Sequence, residues 1–234
     1  VEEVVRSVPD FVGALPASVV ALVALALIVY RASWGVLRNV VTIAHEGGHA
    51  LVALLSGRRL NGIRLHSDTS GLTVSTGPSR GPGMVLTLFA GYPAVSLLGL
   101  VAAWLVSVDR VTLLLRASVV ALALLLVALR NLYGLLSVLL TGAALFAVSW
   151  WADPEIRLLC ARLLGWFLLL GGVRPLFELS GKRRRGRAGD SDADQLARLT
   201  GAPAPLWMSL WLLIALGALV LGANWLLASP FRFW

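Results

Sequence analysis

Val36-Leu37-Arg38-Asn39-Val40-Val41-Thr42-Ile43-Ala44-His45-Glu46-Gly47-Gly48-His49-Ala50-Leu51-Val52-Ala53-Leu54-Leu55-Ser56 is a mostly apolar run with two histidines and a glutamate inside it. A bilayer span needs about 20 mostly apolar residues, so this run is long enough to cross as a helix. On a helix, positions i and i+4 lie one above the other, which puts His45 and His49 on one face with Glu46 beside them. Charged groups at the centre of a span cost about 2.5–3.5 kcal/mol each on insertion scales, so ionisable residues kept there point to function.

The rest of the chain agrees with a membrane setting. Its 234 residues are 58% hydrophobic and 14% charged, with a mean hydropathy of +0.84, too little polar surface to coat a soluble globule. Apolar runs at 11–30, 36–56, 84–108, 111–129, 132–151, 156–177 and 206–228 make about seven candidate spans. The expected fold is therefore an all-α polytopic membrane protein of about seven transmembrane helices, one domain over 1–234. Arg116 and Arg162 lie inside the ends of their runs, where a charge must snorkel or pair, which also admits a count of six. Glu2 and Glu3 precede the first run where a cleavable signal would carry basic residues, so that run is read as a true span.

The formal charge of +8 does not indicate nucleic acid, because the basic residues fall in short segments between apolar runs. With the N-terminus inside, the inner segments hold Arg58, Arg59, Arg64, Arg80, Arg130 and Lys182 to Arg187. The outer ones hold Arg31, Arg38, Arg110, Arg157 and Arg232 alongside Asp109, Asp153 and Glu155. The positive-inside rule then favours a cytoplasmic N-terminus.

Two segments are not spans. Within 58–83, Ile63, Leu65, Leu72, Val74 and Thr76 alternate around Ser67-Asp68-Thr69-Ser70-Gly71, which predicts a membrane-associated β-hairpin after the second span. Its edge could receive an extended peptide as an added strand, or the segment could be a plain solvated loop. Within 180–202, a basic linker gives way to a short helix that Ser191 or Asp192 can cap and that Gly201 and Pro203 end.

His45 and His49 can grip one ion from one face, and Glu46 beside it can hold a water and take its proton during attack on a carbonyl. That is metal-assisted peptide hydrolysis, with Zn2+ as the expected metal. Packing roles for the same histidines are the competing reading. Cys160 is the sole cysteine, so a thiolate cluster within one chain is excluded and the ligands must be imidazole and carboxylate. A catalytic zinc normally takes three protein ligands. Asp192 is the favoured third, with Asp194 and His66 as alternatives; for Asp192 the competing role is a helix cap. Counting crossings puts the end of span two, the hairpin, the start of span three, the turn between spans four and five, and 180–202 on one side. Gly47 and Gly48 leave the helix surface bare, either to make room at the metal or to let another helix approach.

These residues resemble the site-2 protease family of intramembrane zinc metalloproteases, most closely its compact bacterial branch without a PDZ domain. The similarity covers most of the chain. It is carried by His45-Glu46-Gly47-Gly48-His49, Ala90-Gly91-Tyr92-Pro93-Ala94, Arg130-Asn131-Leu132-Tyr133-Gly134 and Ser191-Asp192-Ala193-Asp194-Gln195-Leu196-Ala197. The resemblance implies that His45 and His49 bind zinc, that Glu46 activates water, that a later aspartate completes the site, and that the substrate is a transmembrane helix partly unwound for cleavage. In the larger family that aspartate follows an asparagine and proline within a span. Here no aspartate follows Asn131 in span five, so Asp192 is a substitute and not a direct match.

Asn131 is a candidate catalytic residue, able to donate to a developing oxyanion or hold a substrate strand, and equally able to cap the helix at Leu132. Tyr92 beside Pro93 either lines the site or packs at a kink. The expected partners are bilayer lipid and a transmembrane protein substrate, in a bacterial inner membrane with the site toward the cytoplasm. The alternative function is a zinc-binding membrane protein without catalysis, a transporter or scaffold, and a third is an anchor whose Lys182 to Arg187 segment binds anionic lipid.

Overall fold

The computed structural model describes residues 15–186 and 190–228. Residues 11–14 of the first expected span, Arg187 and Arg232 lie outside the described residues. The order is α1 (Ala17–Val29), α2 (Arg31–Leu55), β1 (Arg59–Leu65), β2 (Gly71–Thr76), α3 (Pro82–Ser107), α4 (Val111–Ala128), α5 (Leu132–Trp151), α6 (Pro154–Arg184), α7 (Asp192–Thr200) and α8 (Ala204–Ala228). Local chemistry sets several of these ends. Proline opens α3 and α6, where a missing N–H costs nothing, and Gly201 closes α7 at φ 77°.

Five helices, α3, α4, α5, α6 and α8, are each long and apolar enough to cross a membrane, as an integral membrane protein requires. The first two expected spans behave differently. α1 has only 13 residues, and it meets α2 at a bend of 99°. The pair passes only when taken together as one broken span, which makes up to six candidate crossings among the described residues. Tyr30 is extended at the break, and the Ser33 hydroxyl donates to the Leu27 carbonyl at 2.6 Å, replacing a bond the helix gave up. Val20 and Ala24 of α1 share a core cluster with Val106, Ala161 and Leu226, all at helix ends remote from the hairpin. Ile28 packs further along, with Val95 and Phe167. The described chain therefore starts opposite the hairpin, whereas two straight spans would bring it to the same side.

α3 and α6 form the centre of the bundle. Small residues let them approach: a Cβ on Gly99 would press on Leu168 and Leu169, and one on Gly172 on Ser96. A polar lock ties α2 to α6, where Glu178 Oε1 accepts from Trp34 Nε1 at 2.8 Å and Arg174 Nε at 3.0 Å, while Arg38 reaches Oε2 at 3.4 Å.

The hairpin is antiparallel, with a register slip between Leu60 and Gly62. β1 is engaged on both edges. Ile63 bridges Leu129 in parallel fashion, and Arg130 N–H donates to the Ile63 carbonyl at 2.9 Å. Asn131 extends this pairing with its side chain, accepting from Leu65 N–H at 3.2 Å and donating to the Leu65 carbonyl at 2.6 Å. Gly62 permits the approach, since a Cβ there would strike Arg130. Among the described residues β2 pairs only with β1, so its other edge is open.

Candidate metal centre

The pitch of α2 brings His45 and His49 together, with ring centroids 4.6 Å apart and Nε2 atoms 3.0 Å apart. The Nδ1–H of His49 donates to the Thr87 carbonyl of α3 at 2.6 Å, which selects the tautomer whose Nε2 lone pair points at its neighbour. Close packing makes this contact available. A Cβ on Gly48 would collide with Ala94, so this glycine serves helix approach, and a Cβ on Gly91 would collide with both imidazoles. Tyr92 covers the other side of His45 edge to face at 4.7 Å and stacks on Trp211 at 4.5 Å. Pro93, lacking an N–H, frees the Phe89 carbonyl one turn back, and Trp211 Nε1 donates to that oxygen at 3.0 Å.

Asp192 reaches the pair from α7. Its Oδ2 lies 3.2 Å from His45 Nε2 and 3.4 Å from His49 Nε2. The three atoms form a triangle with edges of 3.0, 3.2 and 3.4 Å. Tetrahedral ligands at zinc distances of about 2.0–2.1 Å stand about 3.3 Å from one another, so this donor set fits a zinc ion with one open position. Among the described residues it is the cluster of three or more such groups close enough to share a metal.

α7 is positioned by its own cap and by packing. The Ser191 hydroxyl accepts from Asp194 N–H at 3.4 Å, and the Asp194 carboxylate accepts from the Ser191 backbone at 3.3 Å. Arg183 of α6 pairs with the same Asp194, and Ala193 and Leu196 are wholly buried. Asp194 is thus an anchor outside the triangle. His66 lies in the hairpin turn, where its Nδ1 is 3.2 Å from Ser70 Oγ, also outside the triangle. Capping at the start of α7 belongs to the Ser191 side chain, and the Asp192 carboxylate faces the histidines.

Glu46 is 4% exposed and is held by the hairpin. The Thr73 hydroxyl lies 2.7 Å from Glu46 Oε2, to which it donates, and the Thr42 hydroxyl donates to the Thr69 carbonyl at 2.8 Å. Gly71 lies so close that a Cβ there would overlap the Glu46 carboxyl. A cavity of about 160 Å³ is lined by Arg38, Thr42, His45, Glu46, Gly71 and Tyr92, among others. The Asn131 amide is committed to the Leu65 backbone and makes no side-chain cap to α5. Sequence reasoning did not find Thr73, Thr87, Trp211 or the Gly71 contact. Only the freed carbonyl at Pro93 left a trace in the sequence, by implying that some donor had to serve Phe89.

A family model described as Peptidase M50B-like matches residues 18–222. No curated protein and no solved structure matches the chain.

Proposed function

The chain belongs to the Peptidase M50B-like family, which is the site-2 protease family, and from that premise we propose that it is a zinc-dependent intramembrane endopeptidase cleaving transmembrane substrates, in the manner of regulated intramembrane proteolysis. The observation that carries this reading is the His45–His49–Asp192 triangle with Glu46 lining the adjoining cavity. His45, His49 and Asp192 hold the metal, which when bound supplies a Lewis acid that polarises water and the scissile carbonyl.

The protein's own groups do the rest. Glu46 accepts a proton from the attacking water as the new C–O bond forms, then returns it to the amine nitrogen as the C–N bond breaks. Thr73 holds this carboxylate from the hairpin side by donating to Oε2. The open edge of β2 receives the unwound substrate as an added strand, and Gly71, at the start of that strand, lines the cavity. Asn131 acts at one remove. By clasping Leu65 it fixes β1, and through β1 it fixes the edge that the substrate uses.

We place the site toward the cytoplasm of a bacterial inner membrane. Arg58, Arg59, Arg64, Arg80 and Arg130 all lie on the hairpin side with Lys182 to Arg185. With the bent pair α1 and α2 counted as one broken span, the start of α1 falls outside, the reverse of the orientation that two straight spans would give.

The test is metal content together with cleavage of single-span substrates, each compared with Glu46→Gln. The variant is expected to keep its zinc and lose cleavage by about 10²–10⁴-fold. A transporter or scaffold would lose neither its zinc nor its function, and cleavage persisting in Glu46→Gln would end the protease reading.

A further inference from the structure

Between α6 and α8 lies a groove of about 340 Å³ that shares no lining residue with the cavity at the metal centre. Its rim is basic, formed by Arg183 and Arg184 in the last turn of α6, with Ser180 below them. Deeper along the same helix comes Phe177, seven residues and about 10 Å before Arg184. Met208 and Leu212, one to two turns into α8, form the facing wall. Among the described residues no carboxylate lines it. Charge at the interface and apolar side chains toward the bilayer interior match the polarity of one class of molecule.

We propose that this groove binds a single anionic phospholipid of the hairpin-side leaflet. Its phosphate sits between Arg183, Arg184 and the Ser180 hydroxyl, and an acyl chain runs along Phe177, Met208 and Leu212. An acidic protein segment would satisfy the rim but would find no use for the apolar depth. The site also has a connection inward. Arg183 pairs with Asp194, so the lipid rests on the guanidinium that anchors the helix bearing Asp192. A guanidinium has five donors, enough to serve a carboxylate and a phosphate together.

The experiment is native mass spectrometry of the full chain in neutral detergent, titrated separately with phosphatidylglycerol and phosphatidylcholine. Phosphatidylglycerol is expected to give a one-to-one adduct and phosphatidylcholine none at the same concentration. Arg184→Gln should weaken the adduct about fivefold. Phe177→Ser should also weaken it, while Arg185→Gln, one residue beyond the rim, should leave it unchanged. Arg184 and Phe177 are exposed, so neither change disturbs the core. Equal binding of the two lipids would overturn the proposal, as would a loss in Arg185→Gln matching that in Arg184→Gln. Displacement by millimolar inorganic phosphate would do the same, because a free anion has no need of the groove.

Discussion

α2 and α7 both supply donors to the triangle, yet they are positioned in opposite ways. α2 is 25 residues long, and its two imidazoles are neighbours because a helix repeats every 3.6 residues. α7 has nine residues, too few to persist alone in water, and its carboxylate arrives only because tertiary contacts deliver it. Those contacts are the Ser191 box, the Arg183–Asp194 pair, and the burial of Ala193 and Leu196 against Leu88, Leu176 and Trp211. One half of the site is thus written in local geometry and the other in docking. The first should resist change except at the donors and at atoms packed directly on them, and the second should respond to changes remote from its donor.

The sharpest way to break this contrast is to exchange the roles of two neighbouring carboxylates. Asp192→Ala removes a donor and is expected to lower zinc affinity by a hundredfold or more, on the scale of losing one ligand of three. Asp194→Ala removes only an anchor, and affinity should stay within about tenfold. Competition with a chromogenic chelator measures both. Equal losses would mean that α7 does not present Asp192 to the histidines.

Next in size is an attack on the α2 half that spares every donor. A Cβ at Gly91 would press on His45 and His49 together, so Gly91→Ala should cut zinc affinity about ten- to hundredfold. Gly35→Ala, where a Cβ meets nothing within 4 Å, should leave affinity unchanged. Thr73→Val probes the base instead of the metal. Losing the hydroxyl that orients Glu46 should lower kcat about tenfold with zinc content intact. A fall in zinc would show that Thr73 supports the triangle and not the proton acceptor.

The same contrast explains what was legible in the sequence. Runs of apolar residues announced the bundle, alternation around Ser67 to Gly71 announced the hairpin, and the spacing of His45 and His49 announced two corners of the triangle, because each signal is local. The apolar runs parted at Tyr30, but the sharp bend there left no signal. Neither proline nor glycine marks it, and it exists because α1 packs against the ends of α3, α6 and α8 remote from the hairpin. The hold of Thr73 on Glu46 was equally silent, since a threonine in a strand is ordinary until the strand is placed beside α2. Asn131 was singled out for its chemistry, and the structure gives its amide a backbone to hold.

The smallest expected effect probes how firmly docking holds the third donor. Ser191→Ala removes the cap of α7, which costs about 1 kcal/mol, or roughly fivefold in an equilibrium constant. With Ala193 and Leu196 wholly buried, that cost falls on the opening of a helix that stays mostly docked. Hydrogen exchange of the α7 amides should therefore quicken about fivefold. Zinc binds only the docked arrangement, so its affinity can fall by no more than the same factor, and by much less if docking is strongly favoured to begin with. A larger loss of zinc than of protection would mean that Ser191 shapes the Asp192 carboxylate directly, and the helix would then be part of the site instead of its support.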